Sequence, residues 1–441
     1  MTRSAVAVVV GAGLVALMAW CARPPEAGWA WRLAFCAVHT VAFVASLAYV
    51  RRVGLTARTL WVGAVVFRLV AFPLTPSLSD DGYRYLWDGA VAVEHGVSPY
   101  ALRPNDPRLS SLHDGVAFER MNSPAYFSVY PPVSQQVFQL AVRLGGDGGL
   151  GGWFALKSLL LVAEGVGLWA LVRAVGASRA GLYAWCPLPV VEIAGQGHTE
   201  ALVVGGLGLL LVSAGRVPWG SVGVTLAGLV KLWPLALLPH VWRRERWRGV
   251  VVSFTLFFAT SFTLWTPGAF AHAAESLSLF FGTFDEYAGP YRALKWALHS
   301  FAGKAAGSVA SVALTGVAAL VAGWTVLTDE GERAGLRRSV ATIVIVASCA
   351  ASTVHPWYLT PVLYVCPLLG SRQQVPIFWI IAVSAWTYLA YSVPDAGLPA
   401  LWVGWGGAVV VLLRQRFGHG ATAERREDAD ASLASRRRAS G

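Results

Sequence analysis

Apolar stretches of roughly 17 to 22 residues, separated by short polar segments rich in arginine, run through most of the chain. Each is as long as a helix must be to cross a hydrocarbon core about 30 Å thick. The pattern predicts transmembrane helices, not a barrel, and arginine on the cytoplasmic side orients them. With the N-terminus inside, spans at about 4–20 and 29–50 return the chain to Arg51, Arg52 and Arg58, and a third at about 59–75 delivers residues 76–152 to the outside. Spans at about 153–172 and 180–194 lead to the cytoplasmic Arg173 and Arg179 and then to an outer turn, Gly195 to Glu200; a sixth comes back to Arg216.

Residues 217–242 break this rhythm. Arg216 and the cluster Arg243, Arg244, Arg246 and Arg248 both belong inside, yet the segment is too short for two crossings. A re-entrant hairpin resolves the conflict, with Pro218, Gly220, Gly223, Gly228 and Pro234 as its breakpoints. Such backbone is tolerated at membrane depth only under the cover of protein or a cavity, so Lys231 within it is expected to face away from lipid. A span at about 249–267 then exposes a second outer loop, 268–303, and later spans place Arg333, Arg337, Arg338 and Arg372 inside and His355 to Tyr358 outside. The expected architecture is an all-α polytopic membrane protein with about twelve transmembrane helices plus the hairpin. A membrane domain of 1–417 ends in a polar tail, 418–441, with too few apolar residues to fold.

Composition fits this frame: 56% of the 441 residues are hydrophobic and 13% charged, more apolar surface than a soluble core can hide. The net charge of +11 lies in the inter-span loops and so does not indicate a nucleic-acid partner. Cys21, Cys36, Cys186, Cys349 and Cys366 show no metal-ligand spacing. Met1 to Trp20 is expected to remain as an uncleaved first span, because Trp20 and Arg23 suit no signal-peptide cleavage site.

Four polar motifs fall on the outer side, and the richest is Ser79-Asp80-Asp81-Gly82-Tyr83-Arg84-Tyr85-Leu86-Trp87-Asp88-Gly89 in the long loop. If Asp81 to Trp87 is helical, then Asp81, Arg84, Tyr85 and Asp88 share one face, and a cation sits within reach of two carboxylates. Asp80 then becomes the N-cap. A plainer reading is that Asp80 or Asp81 only caps the helix and the aromatics form an interfacial belt. Loop residues of this kind carry function more often than packing.

The run SDDGYRYLWDG, followed by Gly96-Val97-Ser98-Pro99-Tyr100 and Tyr130-Pro131-Pro132, resembles the first extracytoplasmic loop of membrane-embedded GT-C glycosyltransferases, in particular the bacterial polyprenyl-phosphate-mannose-dependent mannosyltransferases. Ala194 to Ala201 is similar to that family's GHxDA-like turn, Gly228 to Pro234 to its G-L-x-K-x-x-P hairpin, and His355-Pro356-Trp357-Tyr358-Leu359 to its P-W-Y-L span start. The resemblance covers about 76–360, with Glu200 where Asp is common and Gly82 where an apolar residue is frequent. It implies an inverting transfer of a hexose, mannose first, from a polyprenyl-phosphate sugar to a glycan, glycolipid or protein acceptor of the cell envelope. The enzyme would be a multi-pass protein of the inner membrane with its site facing the periplasm or extracytoplasmic side.

Such a transfer needs a base for the acceptor hydroxyl and positive groups for the departing phosphate. By resemblance the base is Asp80 or Asp81. Asp80 is favoured, since Asp81 can pair with Arg84 and lose basicity. Arg84, Tyr85, Asp88, His198, Glu200, Lys231, Arg292, Lys295, His355 and Tyr358 are the candidate substrate-binding residues, with Arg68 below the loop as a holder of Asp81 and Glu164 as its possible partner. The plainer reading of His355 is an interfacial residue, and of the His198 turn a tight helix connection. Trp and Phe of the 268–303 loop are expected to cover a groove for the donor's lipid tail. No metal or cofactor is expected. Other architectures with these features are a secondary transporter and GT-C enzymes that move aminoarabinose to lipid A or ligate O-antigen.

Overall fold

The computed structural model describes residues 2–146, 149–213, 218–282, 285–393 and 395–416. Arg216, the polar tail from 418, and Thr283 and Phe284 lie outside the described residues. The described chain is helical. Helices α1 (Arg3–Cys21), α2 (Trp29–Val53) and α3 (Ala57–Ala71) form the first layer. Thr2 and Thr56 cap α1 and α3 by accepting backbone N–H groups, and Gly54 turns the chain between α2 and α3 with φ of 73°.

The long loop is itself a folded layer. It contains α4 (Asp81–Glu94), α5 (Val116–Arg120) and α6 (Pro132–Gly145), and its own apolar cluster gathers Tyr85, Leu86, Trp87, Phe138 and Trp153. Tyr85 stacks on Phe138 at 4.6 Å between ring centroids, so α4 lies on α6 through aromatic contact. Next come α7 (Leu150–Val175) and α8 (Ala177–Ala184), then a π-helical turn, Val190–Gly195, that leads into α9 (Glu200–Val212). Single π-turns of this kind are frequent at functional sites.

After α9 the chain doubles back along it as α10 (Trp219–Gly228). The two backbones touch: a Cβ on Gly206 would stand 2.3 Å from the Gly223 carbonyl oxygen, so neither position admits a side chain. At one end of α10 the Glu245 carboxylate accepts from the backbone N–H of Gly220 and Ser221 and from the Ser213 hydroxyl, an anion placed on a helix N-terminus. At the other end Lys231 stands 3.2 Å from Glu200, at the start of α9. The chain then returns through α11 (Leu238–Ser261), which kinks at Arg246, where φ is 56°. The segment expected to form the second outer loop follows as α12 (Ala269–Gly282) and α13 (Gly289–Ala302), and further long helices are α14 (Ala306–Leu327), α15 (Arg333–Ala350) and α16 (Ser371–Ser384).

Among the described residues, seven helical stretches are long and apolar enough to cross a membrane: Arg3–Cys21, Trp29–Val53, Leu150–Val175, Trp233–Leu264, Gly289–Leu327, Ser371–Tyr391 and Gly397–Arg416. The other expected crossings fall on shorter or broken helices, such as α3 with 15 residues and α9 with 13. Helix α9 is largely buried against its neighbours, whereas α3 buries one face and exposes Val62, Val65 and Leu69.

Candidate active site

The acidic pair sits where the long loop meets the membrane bundle. Asp80 is the N-cap residue of α4, but the Ser79 hydroxyl accepts the Asp81 N–H at 3.2 Å and takes over part of the capping. Asp80 instead accepts from the Asn122 amide at 2.7 Å, and Asp81 accepts from the Tyr85 hydroxyl at 3.4 Å. Burial raises the carboxyl of Asp80. Burial, with the like charges of Asp80 and Glu200 adding to it against the pull of Lys231, pushes Asp81 up to about 7.

The expected Asp81–Arg84 pair gives way to another. Arg84 bonds Asp88 at 2.8 Å and the Ser123 carbonyl at 2.8 Å, while the second Asp88 oxygen accepts from Ser128 and Gln135. The reason is helical geometry: i to i+4 lets the guanidinium reach Asp88 and the 123–135 loop together, a fuller set of partners than Asp81 offers. The ground for preferring Asp80 over Asp81 as base therefore falls away. Arg68, too, turns from Asp81 to a closer partner: it forms a two-point pair with Glu164, at 2.8 and 2.6 Å, to which the Tyr183 hydroxyl also donates.

Facing the acidic pair, Lys231 is paired with Glu200, lies 4.5 Å above the Tyr358 ring, and keeps 22% of its side chain exposed. Charge and aromatic face together hold the ammonium in place. His198 and His355 sandwich the Trp357 ring at 4.1 and 4.4 Å with planes nearly parallel. His198 is fully buried, 3.4 Å from Glu192, whereas His355 is 3.8 Å from Glu286. Arg292 and Lys295 share Asp285, at 3.1 and 2.7 Å. Of the sequence-predicted residues, Asp81, Tyr85, Glu200, Lys231 and Tyr358 form one linked set, with Asp80 beside it. Arg84 and Asp88 anchor the helix that carries the pair, and Arg292 and Lys295 are occupied on the second outer loop.

Residues outside that prediction hold the site in shape. The Gln196 side-chain amide oxygen accepts the N–H groups of Ser77 and Leu78 at 2.9 Å each, which ties the segment before the acidic pair to the Gly195–Glu200 turn. Buried Lys157 donates to the carbonyls of Phe72, Leu74 and Gly195. Its signal in the sequence is a lysine within an apolar span. The Trp153 ring fills the space over both Gly82 and Gly197, where a Cβ would come within 2.5 and 2.6 Å. That explains glycine at position 82: the apolar group comes from α7 instead.

Beside Lys231 opens an apolar groove of about 440 Å³, lined by Tyr130, Pro131, Leu229, Leu232, Phe257 and Trp265 among others, with Phe270, Ala273 and Leu277 of α12 along one side. Tyr130 meets Tyr85 edge to face at 5.0 Å, so the groove wall adjoins the Asp81 hydrogen bond.

Fold and site together define a helical membrane protein in which a linked set of charged residues adjoins, through Tyr85 and Tyr130, an apolar groove. The family model described as alpha-(1->6)-mannopyranosyltransferase, N-terminal domain, matches residues 2–243, and the chain belongs to that family. It is a hexosyltransferase of mannosyltransferase type. The matched region holds Asp80, Asp81, His198, Glu200 and Lys231; Arg292, Lys295, His355 and Tyr358 follow it. No curated protein and no solved structure matches the chain.

Proposed function

We propose that this enzyme moves mannose from a polyprenyl-phosphate donor to a hydroxyl of a cell-envelope glycan on the extracytoplasmic face. The observation that carries the reading is the apolar groove lined by Leu229 and Leu232, the near chain neighbours of Lys231, and by Tyr130, which packs on the tyrosine that bonds Asp81. A donor with an isoprenoid tail and a phosphate head needs that pairing of a lipid slot with a cation at its end. A nucleotide sugar would need neither an apolar slot of this depth nor a bilayer.

In the reaction the acceptor oxygen attacks the anomeric carbon as its proton passes to a carboxylate, and the bond from that carbon to the phosphate oxygen breaks. We assign the proton to Asp81. Its carboxyl, held near 7, is matched to accept a proton at neutral pH, and Lys231 stands close enough to meet the charge that grows on the departing polyprenyl phosphate. Asp80, fixed by Asn122, orients the acceptor. The family description names an alpha-(1->6) linkage. A single displacement with inversion gives an alpha product from a beta-linked mannosyl phosphate, with the 6-hydroxyl of a mannose as acceptor. We read residues 218–245 as a re-entrant hairpin, since Lys231 reaches the start of α9 while Glu245 returns to the level of Ser213. The arginine-rich inter-span loops, read as cytoplasmic, favour an outer position for the site.

Purified enzyme in lipid nanodiscs, given radiolabelled polyprenyl-phosphate mannose or GDP-mannose, is expected to label a mannoside acceptor from the lipid donor alone. Ala273→Trp, which fills the groove, is expected to raise KM for the long-chain donor. Transfer from GDP-mannose at equal efficiency overturns the reading.

A further inference from the structure

We propose that Arg32 and Tyr391 form the acceptor-sugar wall of the cleft, opposite Lys231, and that they bind the terminal mannose of the acceptor glycan. The assignment rests on the mannosyl-transfer reading above and adds the second substrate's place to it.

Arg32 projects from the outer end of α2 and is 1% exposed. One terminal nitrogen donates to the Ser77 carbonyl at 3.2 Å, three residues before Asp80. Its Nε and its other terminal nitrogen, both buried, have no hydrogen-bond partner among the described residues. Two other buried arginines pair with carboxylates, Arg68 with Glu164 and Arg84 with Asp88, whereas Arg32 has no carboxylate partner among the described residues. A buried guanidinium with open donors is costly to keep, and it marks a place where a ligand oxygen completes the set.

The Arg32 guanidinium carbon lies 5.4 Å from the centre of the Tyr391 ring, and Tyr391 is 40% exposed. The Tyr391 hydroxyl is within electrostatic reach of Asp80, Asp81 and Glu286 as well as Arg32. A partly exposed aromatic ring, a planar fork of N–H donors and carboxylates that accept hydrogen bonds from hydroxyls are the groups that hold a pyranose: the ring's C–H face stacks and its vicinal hydroxyls are bridged. The donor's lipid groove is lined by Tyr130, Leu229 and Leu232 and by neither Arg32 nor Tyr391, which leaves those two for the acceptor. Attack from one side of the anomeric carbon as phosphate departs from the other requires the two substrates to enter from different directions.

Octyl α-mannoside binding to the nanodisc enzyme without donor, and mannose release from polyprenyl-phosphate mannose by water without acceptor, separate the two walls. Tyr391→Ala and Arg32→Gln are expected to weaken octyl α-mannoside binding about tenfold or more, the loss of one good contact. Both are expected to leave hydrolysis and donor KM near wild type, with Arg32→Lys recovering part of the binding. Should Arg32→Gln fail to fold, Tyr391→Ala, at a half-open position, decides alone. Unchanged octyl α-mannoside binding in Tyr391→Ala, no binding by wild type, or a donor KM that rises in step overturns the assignment. Because the binding arm uses no donor, a failure of the lipid-donor reading appears separately, as absent hydrolysis with binding intact.

Discussion

Arg84 and Asp88 on α4 share a buried ion pair at 2.8 Å whose carboxylate is filled by Ser128 and Gln135, whereas Lys231 and Glu200 face each other at 3.2 Å with one glutamate oxygen unpartnered and part of the lysine exposed. In the first pair both carboxylate oxygens are engaged, although one Arg84 terminal nitrogen has no partner, and the pair holds a helix against its loop. The second carboxylate retains capacity for another ligand. Charge in a membrane enzyme thus divides into staples and working groups, and how fully each carboxylate is engaged tells these two apart where sequence spacing does not.

Breaking each pair separately sharpens that contrast. Arg84→Gln leaves Asp88 buried without its cation, at a cost of about 3–5 kcal/mol. The expected result is a lower thermal midpoint in detergent, with near-normal KM in whatever enzyme remains folded. Lys231→Gln is expected to do the reverse: a loss of about 10²- to 10³-fold in kcat, as for removal of one group that meets developing charge, with most of the folded protein retained. A Lys231→Gln enzyme with normal turnover removes the lysine from the reaction. Arg292→Ala sits at the small end. Its pair with Asp285 is partly exposed and such pairs contribute about 1 kcal/mol or less, so transfer rates should change less than about threefold.

Much of this was legible in the sequence. The α4 helix follows from the placing of Asp80 and Asp81 ahead of an apolar-aromatic run, and Lys231 is expected to face away from lipid, but its pairing with Glu200 emerges only in the structure. What spacing could not decide was partner choice. Asp81 and Asp88 both lie within a turn of Arg84, and the winner is set by Ser123, Ser128 and Gln135, which come from about 40 residues away. Arg292 and Lys295 lie on an outer loop with the right charge, yet Asp285, just ahead of α13, claims them both. Arg32 was hidden for the opposite reason: at the end of an apolar span it looks like one more interfacial arginine, and only its burial without a carboxylate partner among the described residues sets it apart.

The central claim is that Asp81 takes the acceptor proton, and the pH dependence of kcat/KM tests it most directly. A base whose carboxyl is raised to about 7 is protonated and idle below that pH and active above it. Wild-type kcat/KM should therefore fall about tenfold per unit below pH 7 and level off above. Asp81→Asn should lower turnover by about 10²- to 10⁴-fold and abolish that limb, while Asp80→Asn keeps the limb at reduced rate. A wild-type limb that survives intact in Asp81→Asn, or that vanishes only in Asp80→Asn, contradicts the account.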